Sequence, residues 1–188
     1  GGGMAAMGPA AAALAGAAVV GGVGVGTMSM VGEATGRRSR SAGIGVDMES
    51  LHMFELAAEQ TGLSIVSLDR ALQHFKLATD EAIKGDQKYV SILEKMGVTV
   101  EDVTKKGVTQ SFLDMTAAMK DTEDAQRTLY DATKLVGSSA AELVPAAMRD
   151  FAQAAEDAKE LGRVMSNEQQ DSLAEASDAW ASLWVEVK

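Results

Sequence analysis

The chain has 188 residues, contains no cysteine and carries a formal net charge of −10 at pH 7. The lack of cysteine excludes disulfides, thiolate metal sites and a cysteine nucleophile. The acidic balance argues against sequence-specific nucleic-acid binding, because such a protein needs a basic patch that displaces counterions from the phosphates.

Composition divides the chain near Val46. Thirteen of the 19 glycines precede this residue, and no charged residue precedes Glu33. Of the 17 basic and 27 acidic residues, three arginines and Glu33 lie in the first 46 positions, which leaves a net charge of −12 for the rest. We therefore predict an apolar Gly/Ala-rich segment over residues 1–46 and a helical domain over residues 47–188. Because the first residue is Gly rather than Met, we expect the chain to be a fragment of a longer protein.

The most apolar stretch of the front segment runs from Ala10 to Val31. Three interpretations stay open. About 20 apolar residues suffice to cross a bilayer as a helix, but the small residues equally suit a helix buried in an oligomeric assembly. A flexible Gly-rich linker is the third. A signal peptide is not expected, since no basic residue precedes the stretch.

The sequence GRRSRSAGIG, residues 36–45, predicts a loop or hinge that contains Arg37, Arg38 and Arg40. These three arginines are the one basic cluster of the front segment, and three charges are too few to indicate a DNA site. In a membrane-spanning orientation, they would place the following residues on the cytoplasmic side.

Six glycines remain after Val46, and each stands where a helical pattern stops. Glycine accepts the left-handed conformation that commonly follows a helix end. These stop glycines are Gly62, Gly85, Gly97, Gly107, Gly137 and Gly162. We predict helices over residues 47–61, 64–84, 87–96, 100–106, 109–121, 123–136, 139–161 and 166–187, with Pro145 either in the first two turns of its helix or at a kink.

Helix starts carry capping signals. A Ser or Thr followed three positions later by an acidic residue or Gln is typical of a capping box. The candidate pairs are Ser139 with Glu142, Ser166 with Gln169 and, as a weaker version, Thr99 with Asp102. Ser64 is a cap residue without an acidic partner.

Apolar residues recur at intervals of three and four throughout residues 47–188, and no strand alternation occurs. We therefore predict an all-α fold of helices joined by Gly-terminated turns, which forms an extended or oligomeric helical bundle. Aromatic residues amount to only 4%, which favours small-residue packing over a large aromatic core. Trp180 and Trp184 share one helix face, which indicates a packed apolar face, a docking patch or a membrane-interface belt.

The residue types that carry chemistry are sparse. His52 and His74 are the two histidines. His52 has Glu49 and Glu55 three positions away, but a closed metal site needs more ligands. No nucleophile, base and orienting group come together in the pattern, so we expect no enzymatic activity, no cofactor and no metal.

The stop–start signals resemble the tail tape measure proteins of long-tailed bacteriophages. The matching stretches are residues 58–68, 93–102, 112–125, 132–145 and 158–166, of which 132–145 (ATKLVGSSAAELVP) is the best match. Their order and spacing are similar to those of the family and cover about residues 55–175.

The resemblance implies a virion structural protein that sets tail length, occupies the lumen of the tail tube or tip, and leaves the tail during genome ejection. It implies partners as well: further copies of the chain, with a trimer the best expectation, tail tube proteins, distal tail, tip or baseplate proteins, and tail assembly chaperones. It places the protein in the host cytoplasm during assembly, and entry of the apolar segment into the host inner membrane on infection would suit the family. The alternative is a membrane-inserting helical channel or signalling protein unrelated to phages.

Overall fold

The computed structural model describes the backbone of residues 25–186 and the side chains of residues 32–179. Every regular element in this part of the chain is helical, which confirms the predicted all-α fold. The α-helices are α1 Val25–Ile44, α2 Met48–Thr61, α3 Ile65–Ile83, α4 Gln87–Lys95, α5 Val100–Lys120, α6 Ala125–Val136, α7 Ala140–Met148, α8 Phe151–Glu160 and α9 Asn167–Glu186. A 3-10 turn, Gly137–Ser139, joins α6 to α7.

The predicted stop glycines are confirmed, since all six have positive φ. Gly62 shows the usual arrangement: it is left-handed, with φ 75°, and its N–H donates to the carbonyl of Ala58 at the end of α2. Gly107 differs because the chain continues as a helix beyond it. With φ 82° and ψ 170°, it kinks α5 at the junction between the two helices predicted there.

Two of the three predicted capping boxes form. Thr99 Oγ1 accepts from the Asp102 N–H at 3.1 Å, and the Asp102 carboxylate accepts from the Thr99 N–H at 3.1 Å. Ser166 and Gln169 make the same reciprocal pair at 3.0 and 3.3 Å. These bonds satisfy N–H groups that a helix start leaves without a partner.

The capping box predicted for Ser139 and Glu142 is wrong. Ser139 lies in the 3-10 turn, where its backbone is already helical, and its side chain makes no capping hydrogen bond. Glu142 instead accepts from Ser67 Oγ at 2.7 Å and approaches the Ser64 N–H at 3.4 Å, at the start of α3. The hydrogen bond from Ser67 lowers the pKa of the Glu142 carboxyl. Ser64 caps α3 as predicted, accepting from the Ser67 N–H at 3.2 Å.

The single helix predicted over residues 139–161 is wrong, because the chain breaks between Met148 and Phe151. Asp150 adopts the left-handed conformation, with φ 69°, and its carboxylate lies 2.5 Å from Lys120 Nζ on α5. Asp is one of the few non-glycine residues that tolerate this conformation, so no glycine marks the break. Pro145 lies inside α7, in its first two turns, rather than at the break.

The loop predicted over residues 36–45 is also wrong, because α1 continues to Ile44. Its buried residues, Ala34, Arg37, Ser41 and Ile44, recur at helical intervals and face α9 and α2. This tertiary contact outweighs the helix-weakening effect of Gly36 and Gly43. The chain leaves α1 at Gly45, which has φ 81°.

Most of the apolar stretch from Ala10 to Val31 lies outside the described residues. Its end forms the start of α1. Among the helices that the structure describes, none combines the length and apolar character that crossing a membrane requires.

Helices α2 to α8 together build one hydrophobic core, here called the shared core. All four phenylalanines of the sequence, Phe54, Phe75, Phe112 and Phe151, meet there with no exposed surface. Buried alanines surround them, among them Ala57, Ala71 and Ala132. Small-residue packing is thus present as predicted, but it surrounds an aromatic centre, which the low aromatic content does not favour.

The capping box of α5 supports a prediction about the Asp102 carboxyl. Its hydrogen bonds from Thr99, and next its contact with Lys106, lower its pKa to about 2 from the usual 3.8. The folded-state pKa is depressed, so the stabilisation is complete above pH 3.8 and is lost as the pH falls through 2. We expect Thr99→Ala to raise the pKa of Asp102 towards 3.8, measured by NMR titration of the side-chain carboxyl. An unchanged value in this variant would show that Thr99 is not the main cause.

Candidate functional site

Two arginines of α1, Arg37 and Arg40, reach the bundle formed by α2–α8. Arg37 Nε donates to Glu55 Oε2 on α2 at 2.6 Å, and the side chains are only 8% and 13% exposed. Arg40, one turn later, also donates to Glu55, through Oε1. Arg40 further binds Asp69 on α3 through two parallel hydrogen bonds of 2.7 and 2.5 Å. Glu55 therefore lies between two arginines, and two paired arginines join α1 to α2 and α3.

Helix α9 completes this cluster from the other end of the chain. Gln170 is fully buried, and its Oε1 accepts from Arg37 Nη1 at 3.0 Å. Its Nε2 donates to the carbonyl of Met165 at 2.8 Å, so both ends of the amide are engaged. We call Arg37, Arg40, Glu55, Asp69 and Gln170 the arginine cluster; it joins α1, α2, α3 and α9.

His52 lies one turn before Glu55 on α2 and contacts the segment between α8 and α9. Its Nδ1 accepts from the Met165 N–H at 3.0 Å, which requires the imidazole to be unprotonated at this nitrogen. Burial, and next the positive charge of Arg37, lower the pKa of His52 below its usual 6.5. His52 is therefore neutral at pH 7, and its ring serves as a structural acceptor.

A cleft of about 600 Å³ opens beside the arginine cluster, between α1, α2 and the start of α3. Arg37, Arg40 and His52 line it, together with three glutamates and three apolar side chains: Glu33, Glu55, Glu59, Leu56, Leu63 and Ile65. The arginines that face it are already neutralised by Glu55 and Asp69, so they have no free charge to offer an anion. Among the described residues, no group of histidine and carboxylate side chains is arranged to hold a metal ion.

The sequence-based interpretation of the arginines needs correction. The sequence pattern predicts that Arg37, Arg38 and Arg40 lie together in a loop as one basic cluster. In the helix, Arg37 and Arg40 turn inwards to carboxylates, and only Arg38 stays half-exposed, 3.9 Å from Asp171. The sequence feature that indicates this helix is the spacing of its buried residues, Ala34, Arg37, Ser41 and Ile44, at intervals of three and four.

His74 and Glu49, which were also discussed from the sequence, do not belong to the arginine cluster. His74 is exposed on α3, and its ring covers Gly137, where an added Cβ would lie 3.1 Å from His74 Cδ2. Glu49 is not joined to His52; its N–H donates to Asn167 Oδ1 at the start of α9. Trp180 and Trp184 lie on α9, but their side chains are outside the described residues.

The arginine cluster is therefore a junction of four helices that contains a satisfied, partly buried ion-pair network. Comparison with known proteins found no matching family model, no matching curated protein and no matching solved structure.

Proposed function

We propose that the chain is a segment of a bacteriophage tail tape measure protein, a structural and non-enzymatic part of the tail. The main support for this proposal is the ordered series of stop–start signals from Gly62 to Gly162, whose surrounding sequence resembles the sequences of that family. Each of these glycines ends or kinks a helix in the structure, so the motifs are true helix boundaries.

The shared core affects how such a segment would act. Helices α2–α8 contribute to one hydrophobic cluster, which stretching into a single extended helix would expose to water. An extended helix of 142 residues (47–188) would span about 210 Å at about 1.5 Å per residue. We therefore propose that this segment lies in the tail lumen or tip as a compact body, in several copies, and that neighbouring parts of the parent protein set most of the tail length.

Two linked experiments test this proposal. First, antibodies against residues 47–188 should label one end of the tails in electron micrographs of phage particles from the strain that encodes the chain. Second, an in-frame deletion of residues 47–188 from the parent protein should abolish infectivity and shorten the tail by much less than about 210 Å.

The outcomes separate the parts of the proposal. A shortening of the full length would support a tape measure role but contradict the compact arrangement. Particles that lack the protein, together with a deletion that changes neither tail length nor infectivity, would refute the assignment. A control deletion in a neighbouring helical region of the parent protein measures the shortening per residue in that tail.

A further inference from the structure

Helices α1 and α9, here called the terminal pair, lie outside the main core. Of the described residues of the pair, only Ile44 at the end of α1 belongs to the hydrophobic cluster of the bundle. The buried residues of α9, Leu173, Ala174 and Ala176, are not part of that cluster. The two helices pack mainly against each other, and their contacts with α2 and α3 are less extensive. The pair is thus an element of its own on the surface of the bundle.

Besides the apolar contact of Ile44, a set of polar contacts fastens the terminal pair to the bundle. They are the ion pairs of Arg37 and Arg40 with Glu55 and Asp69, the Met165–His52 hydrogen bond, and the Glu49–Asn167 hydrogen bond. Water can replace each of these bonds once the surfaces part, whereas it cannot replace apolar burial. Parting the pair from α2 is therefore much less costly than opening the core around Phe112.

We propose that the terminal pair separates from the bundle as a unit while α2–α8 stay folded, and that the contacts of Glu55 and His52 hold it closed. Regions with few buried apolar contacts open at lower free energy than the core of the same protein. Because residues 1–24 are joined directly to α1, this opening moves their point of attachment away from the bundle. The proposal does not depend on the tail assignment.

Acidification favours the open state through His52. Its pKa is lowered in the closed state, so the open state binds more protons. The contribution of His52 to closure is complete above pH 6.5 and is lost as the pH falls below that value. The charged groups that face the ring are Glu33 and Arg37 on α1, Glu55 on α2 and Arg163 before α9; the two arginines oppose protonation and the two carboxylates favour it.

Hydrogen–deuterium exchange of the full chain, read by mass spectrometry for each helix, tests the proposal. In Glu55→Gln, Arg37 and Arg40 lose their shared countercharge, and we expect α1 and α9 to exchange about tenfold faster or more, with α2–α8 unchanged. Glu101→Gln is the matched control. It removes a carboxylate from an ion pair with Lys105 in which each side chain is 71% exposed. This variant should change exchange in neither region.

A pH series supplies a second test that does not depend on how well Glu55→Gln folds. In the unaltered chain, the exchange rates of α1 and α9, divided by the intrinsic rates, should rise as the pH falls from 7.5 to 5.5. The variant His52→Gln keeps a hydrogen-bond acceptor but does not titrate, so its exchange rates should not rise. Equal acceleration in all helices of Glu55→Gln, or no acceleration in α1 and α9, would overturn the proposal. An equal rise with falling pH in His52→Gln would overturn the role of His52.

Discussion

Phe112→Ala is expected to lower the free energy of unfolding by about 4 kcal/mol, more than any other single truncation proposed here. Phe112 lies on α5 at the centre of the core. Its ring centroid is 5.5 Å from that of Phe54, 5.4 Å from that of Phe75 and 6.2 Å from that of Phe151, so it joins α5 to α2, α3 and α8. Truncation removes the apolar contact area and leaves a cavity that fully buried neighbours cannot fill.

Chemical denaturation followed by far-ultraviolet circular dichroism measures this loss. Tyr130→Ala is the control, because Tyr130 is an aromatic residue on α6 that is 63% exposed. Its ring contacts Lys134 Nζ at 3.9 Å from the centroid, a surface contact that contributes about 1 kcal/mol or less. Equal losses in the two variants would contradict the placement of Phe112 at the centre of the core.

Gly97→Ala is expected to destabilise the protein by about 3 kcal/mol, for two separable reasons. Gly97 has φ 77°, and an alanine held in this conformation is strained. In addition, its Cβ would lie 2.9 Å from the Cβ of Ala118 on α5, closer than two such atoms can approach. Relieving this clash requires the turn after α4 to move away from α5, which disturbs the packing of Leu93 and Val98 in the core.

Gly162→Ala separates the two causes. Gly162 ends α8 with φ 65°, and the turn there closes with the same two helix-end hydrogen bonds as the turn at Gly97. No atom lies within 4 Å of a Cβ added at Gly162. This variant should therefore show the backbone strain alone, about 1 kcal/mol. The difference between the two variants, measured by thermal unfolding, reports the contact with Ala118. No difference would mean that the turn at Gly97 lies less close to α5 than the structure shows.

Much of the fold was predictable because its signals are local. The positive φ of a stop glycine and the reciprocal bonds of Thr99 with Asp102 depend on residues within one turn, so a single stretch of sequence contains the whole cause. The break at Asp150 was not predictable in this way. It combines an uncommon conformation of a non-glycine residue with a contact to Lys120, 30 residues earlier.

The arginine cluster was missed for the same reason. Arg37 lies 18 positions from Glu55 and 133 from Gln170, and nothing in the local sequence indicates that these residues meet. The glycines around the arginines predicted a loop, whereas packing against α9 stabilises the helix. The spacing of Ala34, Arg37, Ser41 and Ile44 was available in the sequence, but a buried arginine on such a face is expected only once its partners are known.

The sequence by itself determined that the chain is helical, where its helices end after residue 47 except at the break after Met148, and which capping residues begin several of them. Backbone sterics and short-range hydrogen bonds decide these features. Only the tertiary structure decided that four phenylalanines from four helices form one core, that Glu142 binds the start of α3, and that α1 joins α9 beside a buried ion-pair network. These features depend on desolvation and on partners far apart in the chain, which become neighbours only after the helices have packed.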